Sequence, residues 1–354
     1  MSDRDPSDLE RSARERLPEP VYAYYRQGAG EEVSAAEAES AWQRLRFRPR
    51  VLRDVSSVST QTSLLGTAVP SPVAVAPTSL QRHAHRLGEA EMARGVASAG
   101  ALLCVSSNAG MRFAEIADAA GADLAWWVQA YVLQDRGRTA AMLERAVSAG
   151  CRAVVLTVDT PVVGAKPVSG PSVWESTPEE YLHANEDAAA ARHVDVEKAR
   201  DLVPADVGWL GSLTGLPIVV KGVLRADDAL ACVAAGASAV WVSNHGGRQL
   251  DRSVATAVAL PEVASAVGGS AEVYVDGGVR NGRDVLAALA LGARAAFLGS
   301  PALWALATHG AQGVAAMLAT MTAELEEAMT LSGCRDVSEV TGDLLAPGSP
   351  GAGC

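Results

Sequence analysis

The chain has 354 residues, 49% hydrophobic and 20% charged, an ordinary globular composition with room for one barrel of roughly 250 residues plus extensions. A formal net charge of −11, with no run of Lys and Arg, excludes a large nucleic-acid footprint, which needs a basic stripe. An anionic substrate therefore requires a local cluster of cations. No apolar run reaches the roughly 20 residues that span a bilayer, and the start of the chain lacks the basic and apolar parts of a signal peptide. A cytoplasmic protein without membrane contact is expected.

In chain order, residues 1–45 read as polar helices, DLERSARERL and then SAAEAESAWQRL, separated at Gly28 and Gly30. From about residue 72 short apolar runs alternate with Ala-rich helical stretches. The runs are PVAVAP (72–77), ALLCVS (101–106), AWWVQAYV (125–132), RAVVLTVD (152–159), PIVVKG (217–222), AVWVSN (239–244), EVYVDGG (272–278) and RAAFLGS (294–300). Continuous apolar runs of this length suit strands buried on both faces, and eight of them suit a closed parallel barrel. The stretches 88–100, 135–150 and 225–236 are long enough for the crossovers that parallel pairing demands. The expectation is a single α/β unit. An N-terminal helical extension (1–70) precedes a (β/α)₈ TIM barrel (71–335), and a tail (336–354) follows it. A doubly wound open sheet is the alternative. Residues 160–216, after the fourth run, break the rhythm; such insertions in barrels are lids or interface segments.

Cys104, Cys151, Cys232, Cys334 and Cys354 are odd in number and contain no C-x-x-C spacing, so neither a zinc site nor a disulfide framework is expected. Cys104, Cys151 and Cys232 lie in apolar stretches and read as buried structural thiols. His83 and His85 lack a third ligand nearby and read as solvated loop residues. Of Trp126 and Trp127, alternation lets only one face the barrel interior, and core packing is the expected role of both.

Barrel enzymes collect their active sites at the C-terminal ends of the strands. Here those ends carry Pro77-Thr78-Ser79, Ser106, Gln129 and Tyr131, Thr157 and Asp159, Lys221, Ser243-Asn244-His245 with Arg248, Asp276-Gly277-Gly278 with Arg280, and Gly299-Ser300. One Lys, one His and several hydroxyls abutting apolar runs form a pattern that ordinary turns, rich in Asp, Asn and Gly, do not give.

SNHGGRQLD (243–251) resembles the active-site signature of the FMN-dependent 2-hydroxy-acid oxidase and dehydrogenase family. The likeness continues through YYRQGAG (24–30), FRPRVLRDV (47–55), APTSLQ (76–81), QAYVLQDR (129–136), LTVDTP (156–161), IVVKGV (218–223), VDGGVRNGRDVLAALALGA (275–293) and MTLSGC (329–334). It implies a TIM barrel that binds FMN and oxidises an (S)-2-hydroxy acid to the 2-oxo acid, passing electrons to O₂ and releasing H₂O₂. It also implies a homo-oligomer, a homotetramer by expectation, with no resident metal. A dehydrogenase using another acceptor, or a degenerate FMN-binding barrel without turnover, are the alternatives.

The resemblance also assigns roles. His245 is the base and Asp159 its partner. Arg248 and Tyr24 hold the substrate carboxylate, and Tyr131 meets its hydroxyl. Lys221 sits where charge collects on the reduced ring, and Ser106, Gln129 and Thr157 meet the ring edges. The backbone of Pro77, Thr78 and Ser79 approaches the ring, with Ser243 beside it. Asp276 faces the ribityl chain, and Gly278, Arg280, Gly299 and Ser300 surround the phosphate. Three departures stand out. Ser300 replaces an arginine, Lys166 is the nearest match to a loop arginine, and Asn108 replaces an aromatic wall. Loosening both the grip and the wall favours bulky, mandelate-like acids, unless the 160–216 insertion adds a polar wall.

Overall fold

The computed structural model describes residues 6–167, 172–186 and 197–347. All eight apolar runs form strands: β1 (Val73–Val75), β2 (Leu102–Ser106), β3 (Ala125–Ala130), β4 (Val154–Thr157), β5 (Ile218–Val223), β6 (Ala239–Val242), β7 (Glu272–Val275) and β8 (Ala295–Leu298). They pair in parallel and close into a barrel, with β8 meeting β1 through Ala296–Val73, Phe297–Ala74 and Leu298–Val75. The fold is thus the expected (β/α)₈ barrel.

Successive side chains of a strand face opposite ways, so each strand divides its residues between two cores. Val73, Val75, Trp126 and Val128 pack outward against the helices. Ala74, Cys104, Trp127, Trp241, Tyr274 and Phe297 fill the barrel. Trp126 and Trp127 therefore part as alternation requires. Inside, Trp241 and Phe297 lie 3.9 Å apart between ring centroids, and Trp127 and Tyr274 lie 5.4 Å apart. Truncating one of these rings to Ala leaves a cavity that costs about 3–5 kcal/mol.

A hairpin (Thr62–Leu64 with Thr67–Val69), absent from the sequence reading, plugs the lower mouth with Leu64 and Val69. Leu65 and Gly66 at its tip have φ of 44° and 78°, as a two-residue primed turn requires. With the bottom sealed, the C-terminal strand ends are the open side.

The N-terminal segment forms three helices, Pro6–Arg16, Glu19–Arg26 and Val33–Gln43. The last brings Trp42 to the turn after β7, where its indole N–H donates to the Gly277 carbonyl at 2.7 Å. Cys104 and Cys151 are buried as expected, whereas Cys232 is only partly so; the four described cysteines are unbridged. Cys354 lies outside the described residues, as does 187–196 of the polar stretch after β4. His83 corrects another expectation. It is partly buried and its Nε2 lies 2.7 Å from Thr177 Oγ1, tying the post-β4 segment to the loop after β1. No group of three potential metal ligands occurs among the described residues.

Candidate active site

A cavity of about 400 Å³ opens at the C-terminal ends of the strands, with Phe297 at its floor. Tyr24, Ser79, Ser106, Gln129, Tyr131, Thr157, Lys166, Lys221, His245, Arg248, Asp276, Gly278, Arg280, Gly299 and Ser300 all line it. Asp159 and Ser243 stand immediately behind, bonded to these residues.

The end of β6 carries His245 in the left-handed region, with φ of 59°. A non-glycine residue there is strained, and such strain persists where surrounding contacts over-determine it. The contacts are visible. The His245 backbone N–H donates to Ser243 Oγ at 3.1 Å, and its Nδ1 lies 3.0 and 3.2 Å from the two Asp159 oxygens. Thr160 adds a hydroxyl donor to Asp159 at 3.0 Å. Burial pushes the Asp159 carboxyl up, but the adjoining imidazole, Lys221 and Thr160 outweigh it and hold the group well below the usual range. An ionised Asp159 accepts a hydrogen bond from Nδ1–H, which fixes the tautomer and leaves the Nε2 lone pair free. Burial, together with the charges of Lys221 and Arg248, lowers the His245 pKa in spite of Asp159, so the imidazole is neutral at pH 7.

Gly222, just beyond Lys221, makes this approach possible, since a Cβ there would stand 2.7 Å from Asp159 Cβ. Lys221 itself is buried; it donates to Ser243 Oγ at 2.7 Å and pairs with Asp276 at 3.1 Å. Ser243 donates in turn to Asp276 at 2.6 Å. Burial alone would lower the Lys221 pKa, but Asp276 and Asp159 carry it above its ordinary value. The ammonium stays charged.

Arg248 spends one nitrogen on the N-terminal extension. Its Nη1 donates to the carbonyls of Tyr24 at 2.8 Å and Gln27 at 3.0 Å, and its guanidinium lies 5.3 Å from the Tyr24 ring centre. Its Nε and Nη2 make no hydrogen bond to the described residues, leaving a forked edge that suits a carboxylate. Burial raises the pKa of both Tyr24 and Tyr131, so both remain phenols able to donate. Lys166 is itself tethered. Its ammonium donates to the Arg248 carbonyl, and burial with the nearby guanidinium lowers its pKa to about 8.

The remaining polar groups fit a flavin. Gln129 accepts from Ser106 Oγ and Ser107 N, both at 3.3 Å, which turns its amide nitrogen away. That Nε2 and Thr157 Oγ1 are buried without a partner, whereas buried polar groups are normally satisfied. Both line the cavity, as donors awaiting ring-edge acceptors would. Ser79 Oγ lies 3.1 Å from Ser106 Oγ, and the Thr78 hydroxyl accepts from Gln81, so the segment after β1 is held in place.

At the other end, helix Ser300–Ser332 begins without a side-chain cap, after Gly299, at the cavity wall. An uncapped helix start suits a phosphate. Arg280 lies there too, but its Nε donates to Glu39 at 2.9 Å, a neighbour that sequence reasoning missed. Gly278 has φ of 86°, and a Cβ would meet the Ala38 carbonyl oxygen at 2.3 Å. Its lack of a side chain thus serves the packing of helix Val33–Gln43.

The segment after β4 adds two wall residues that the sequence did not single out. Trp174 packs edge-on against Tyr24 with centroids 6.0 Å apart, bringing an aromatic wall back on a different loop from Asn108. Lys198 places its ammonium 3.7 Å from the Tyr131 ring centre. Both readings of the insertion, an apolar cover and a polar wall, are therefore present together.

The FMN-dependent dehydrogenase family matches residues 13–347. The chain is 38% identical to an L-lactate oxidase of Nostoc sp. over 96% of each chain. It is 39% identical to the glycolate oxidase of Spinacia oleracea, over 96% of this chain and 95% of that one. A crystal structure of mandelate oxidase superposes with a TM-score of 0.87 at 37% identity, covering 98% of both chains. With that match over nearly its whole length, and a cavity whose unpaired donors suit a flavin, the chain belongs to the FMN-dependent dehydrogenase family.

Proposed function

We propose that this protein oxidises an (S)-2-hydroxy acid to the 2-oxo acid and passes the electrons to O₂, with His245 as the base. The observation that carries the reading is the Asp159–His245 pair, at 3.0 Å, in the same cavity as the free edge of Arg248. FMN, when bound, supplies the two-electron acceptor. The chain supplies the rest. Arg248 and the Tyr24 phenol hold the carboxylate, which presents the hydroxyl-bearing carbon in one orientation. Tyr131 donates to the substrate oxygen, and His245 Nε2 takes a proton from the substrate. Asp159 stabilises the imidazolium so formed. Lys221, held charged by Asp276, would stand beside a bound flavin and stabilise the negative charge it gains on reduction.

The oxidase reading draws on the L-lactate, glycolate and mandelate oxidases that the chain resembles. We place the enzyme in the cytoplasm as a homotetramer; its acidity is compatible with that setting, and no described helix is long and apolar enough to cross a membrane. The aromatic wall given up at Asn108 and the presence of Trp174 favour a side chain larger than a methyl group, aryl groups included. Burying an aryl face of roughly 150 Å² contributes about 4 kcal/mol at most. Peroxide release measured with glycolate, lactate, 2-hydroxyoctanoate and mandelate tests both parts. Higher kcat/KM for the larger acids is expected. A clear preference for glycolate refutes the size reading, and no peroxide with any acid refutes the oxidase.

A further inference from the structure

Lys198 has no place in the chemistry above, yet it is held firmly in the cavity wall. The segment 197–199 pairs antiparallel with the chain that follows Tyr131. Gln134 N–H donates to the Glu197 carbonyl at 3.0 Å, and Ala199 N–H donates to the Val132 carbonyl at 2.9 Å. These bonds flank Lys198 on both sides, and its ammonium lies over the Tyr131 ring, 3.7 Å from the ring centre. The ammonium makes no hydrogen bond or ion pair with the described residues. Burial brings its pKa down to about 8, with Asp159 pulling the other way, so it is still mainly charged at pH 7.

Charge bookkeeping at the reacting end shows what is missing. Lys221 is matched by Asp276, and the neutral His245 faces Asp159. The other acids of the cavity, Glu10 and Glu39, are taken by Arg26 and Arg280. Arg248 and Lys166, with Glu32 nearby, await the substrate's own carboxylate, whereas Lys198 has only Asp159 near it, and that group already serves His245. A partly desolvated cation without a partner is costly unless a ligand brings the counter-charge. The aromatic contact alone supplies only a modest return.

We propose that Lys198 binds a second, side-chain carboxylate of the substrate, so that the preferred 2-hydroxy acids are short dicarboxylic ones. This rests on the oxidase reading and specifies its substrate. Because Tyr131 meets the hydroxyl while Lys198 lies across the same ring, the second carboxylate sits a few bonds from the hydroxyl-bearing carbon. Such a chain also lies beside Trp174 and Val163 in the cavity wall, so the larger side chain favoured by the open Asn108 position is accommodated with its far end charged.

The test compares kcat/KM of the holoenzyme for (S)-malate and (S)-2-hydroxyglutarate with that for (S)-2-hydroxybutyrate and (S)-2-hydroxyvalerate, which have similar chains without the second charge. At least a tenfold preference for the diacids is expected. Lys198→Met should lower that ratio at least tenfold, and Lys198→Arg should retain most of it. The same order should appear in equilibrium binding of 2-oxoglutarate against 2-oxovalerate, followed by the absorbance of the bound flavin. Flavin bleaching by the monocarboxylic acids with no diacid preference overturns the Lys198 assignment and leaves the oxidase reading standing. A ratio unchanged in Lys198→Met overturns it as well. No bleaching by any of the four acids overturns both.

Discussion

The two ends of the cavity are built from the same strand tips but differ in how their charged groups are engaged. At the reacting end Lys221, Ser243, Asp276, His245 and Asp159 form one connected set, each bonded to another at 2.6–3.2 Å. At the proposed phosphate end Ser300 stands where the family resemblance would put an arginine, and the remaining Arg280 already serves Glu39. A saturated network is rigid before any ligand arrives, which is what transition-state stabilisation needs. An end whose cation is engaged elsewhere must exchange partners when a phosphate enters. On the proposed assignment the difference separates two properties, turnover resting on the first end and cofactor affinity on the second.

The sharpest way to break this separation is at His245. His245→Asn removes the proposed base and should lower the rate of flavin reduction by roughly 10²-fold or more while flavin stays bound. Rapid mixing under anaerobic conditions reads the rate, and near-normal bleaching would remove His245 from the mechanism. Ser300→Arg acts at the opposite end. A new charge-assisted contact to a phosphate is worth about 1.5–3 kcal/mol, or roughly ten- to a hundredfold in the FMN dissociation constant. Fluorescence titration of the apoprotein checks it. No change would mean that Arg280 already fills that place.

The pH profile comes next in size. As the proposed base His245 works only when neutral, and its pKa lies below the ordinary value. The acid limb of kcat/KM should therefore rise toward a plateau reached before neutrality, changing about tenfold per pH unit on that limb. On the alkaline side Lys166 and Lys198, both with pKa lowered to about 8, lose their charge. Lys198 faces Tyr131 and Asp159, and Lys166 faces Arg248 and Glu32. Binding of acidic substrates should weaken as pH rises through that value, and diacids should lose more than monoacids. A flat profile above pH 8 would contradict the role of both lysines. Glu39→Gln carries the smallest effect, because Glu39 is partly exposed and its pairing with Arg280 is screened. A few-fold tightening of FMN is expected in the same titration; weaker binding would show that Glu39 positions Arg280 for the phosphate instead of competing for it.

The sequence made the first end legible and much of the second. A parallel barrel gathers all its strand ends on one face, so eight apolar runs and the residue after each were enough to assemble Lys221, Ser243, His245 and Asp276. Alternation likewise separated Trp126 from Trp127 without any knowledge of the helices. What escaped depends on contacts between distant segments. Glu39 meets Arg280 only because helix Val33–Gln43 docks beside the turn after β7. Lys198 meets Tyr131 only through the antiparallel pairing of 197–199 with 132–134, which no local pattern announces. The hairpin at 62–69 was missed because strands of three residues are too short to show alternation. Its Leu65-Gly66 tip was the available signal. Lys166 was found by position, but its tether to the Arg248 carbonyl follows from loop geometry alone.

The central claim is that a hydroxy acid delivers its electrons to the flavin of this barrel and that O₂ then collects them. The most direct measurement is the flavin absorbance of the purified holoenzyme, mixed without air with each enantiomer of a 2-hydroxy acid and then exposed to air. Loss of the yellow band with the (S) acid and not the (R) acid, followed by its return in air with release of peroxide, is the expected result. A band that no 2-hydroxy acid bleaches would contradict the account.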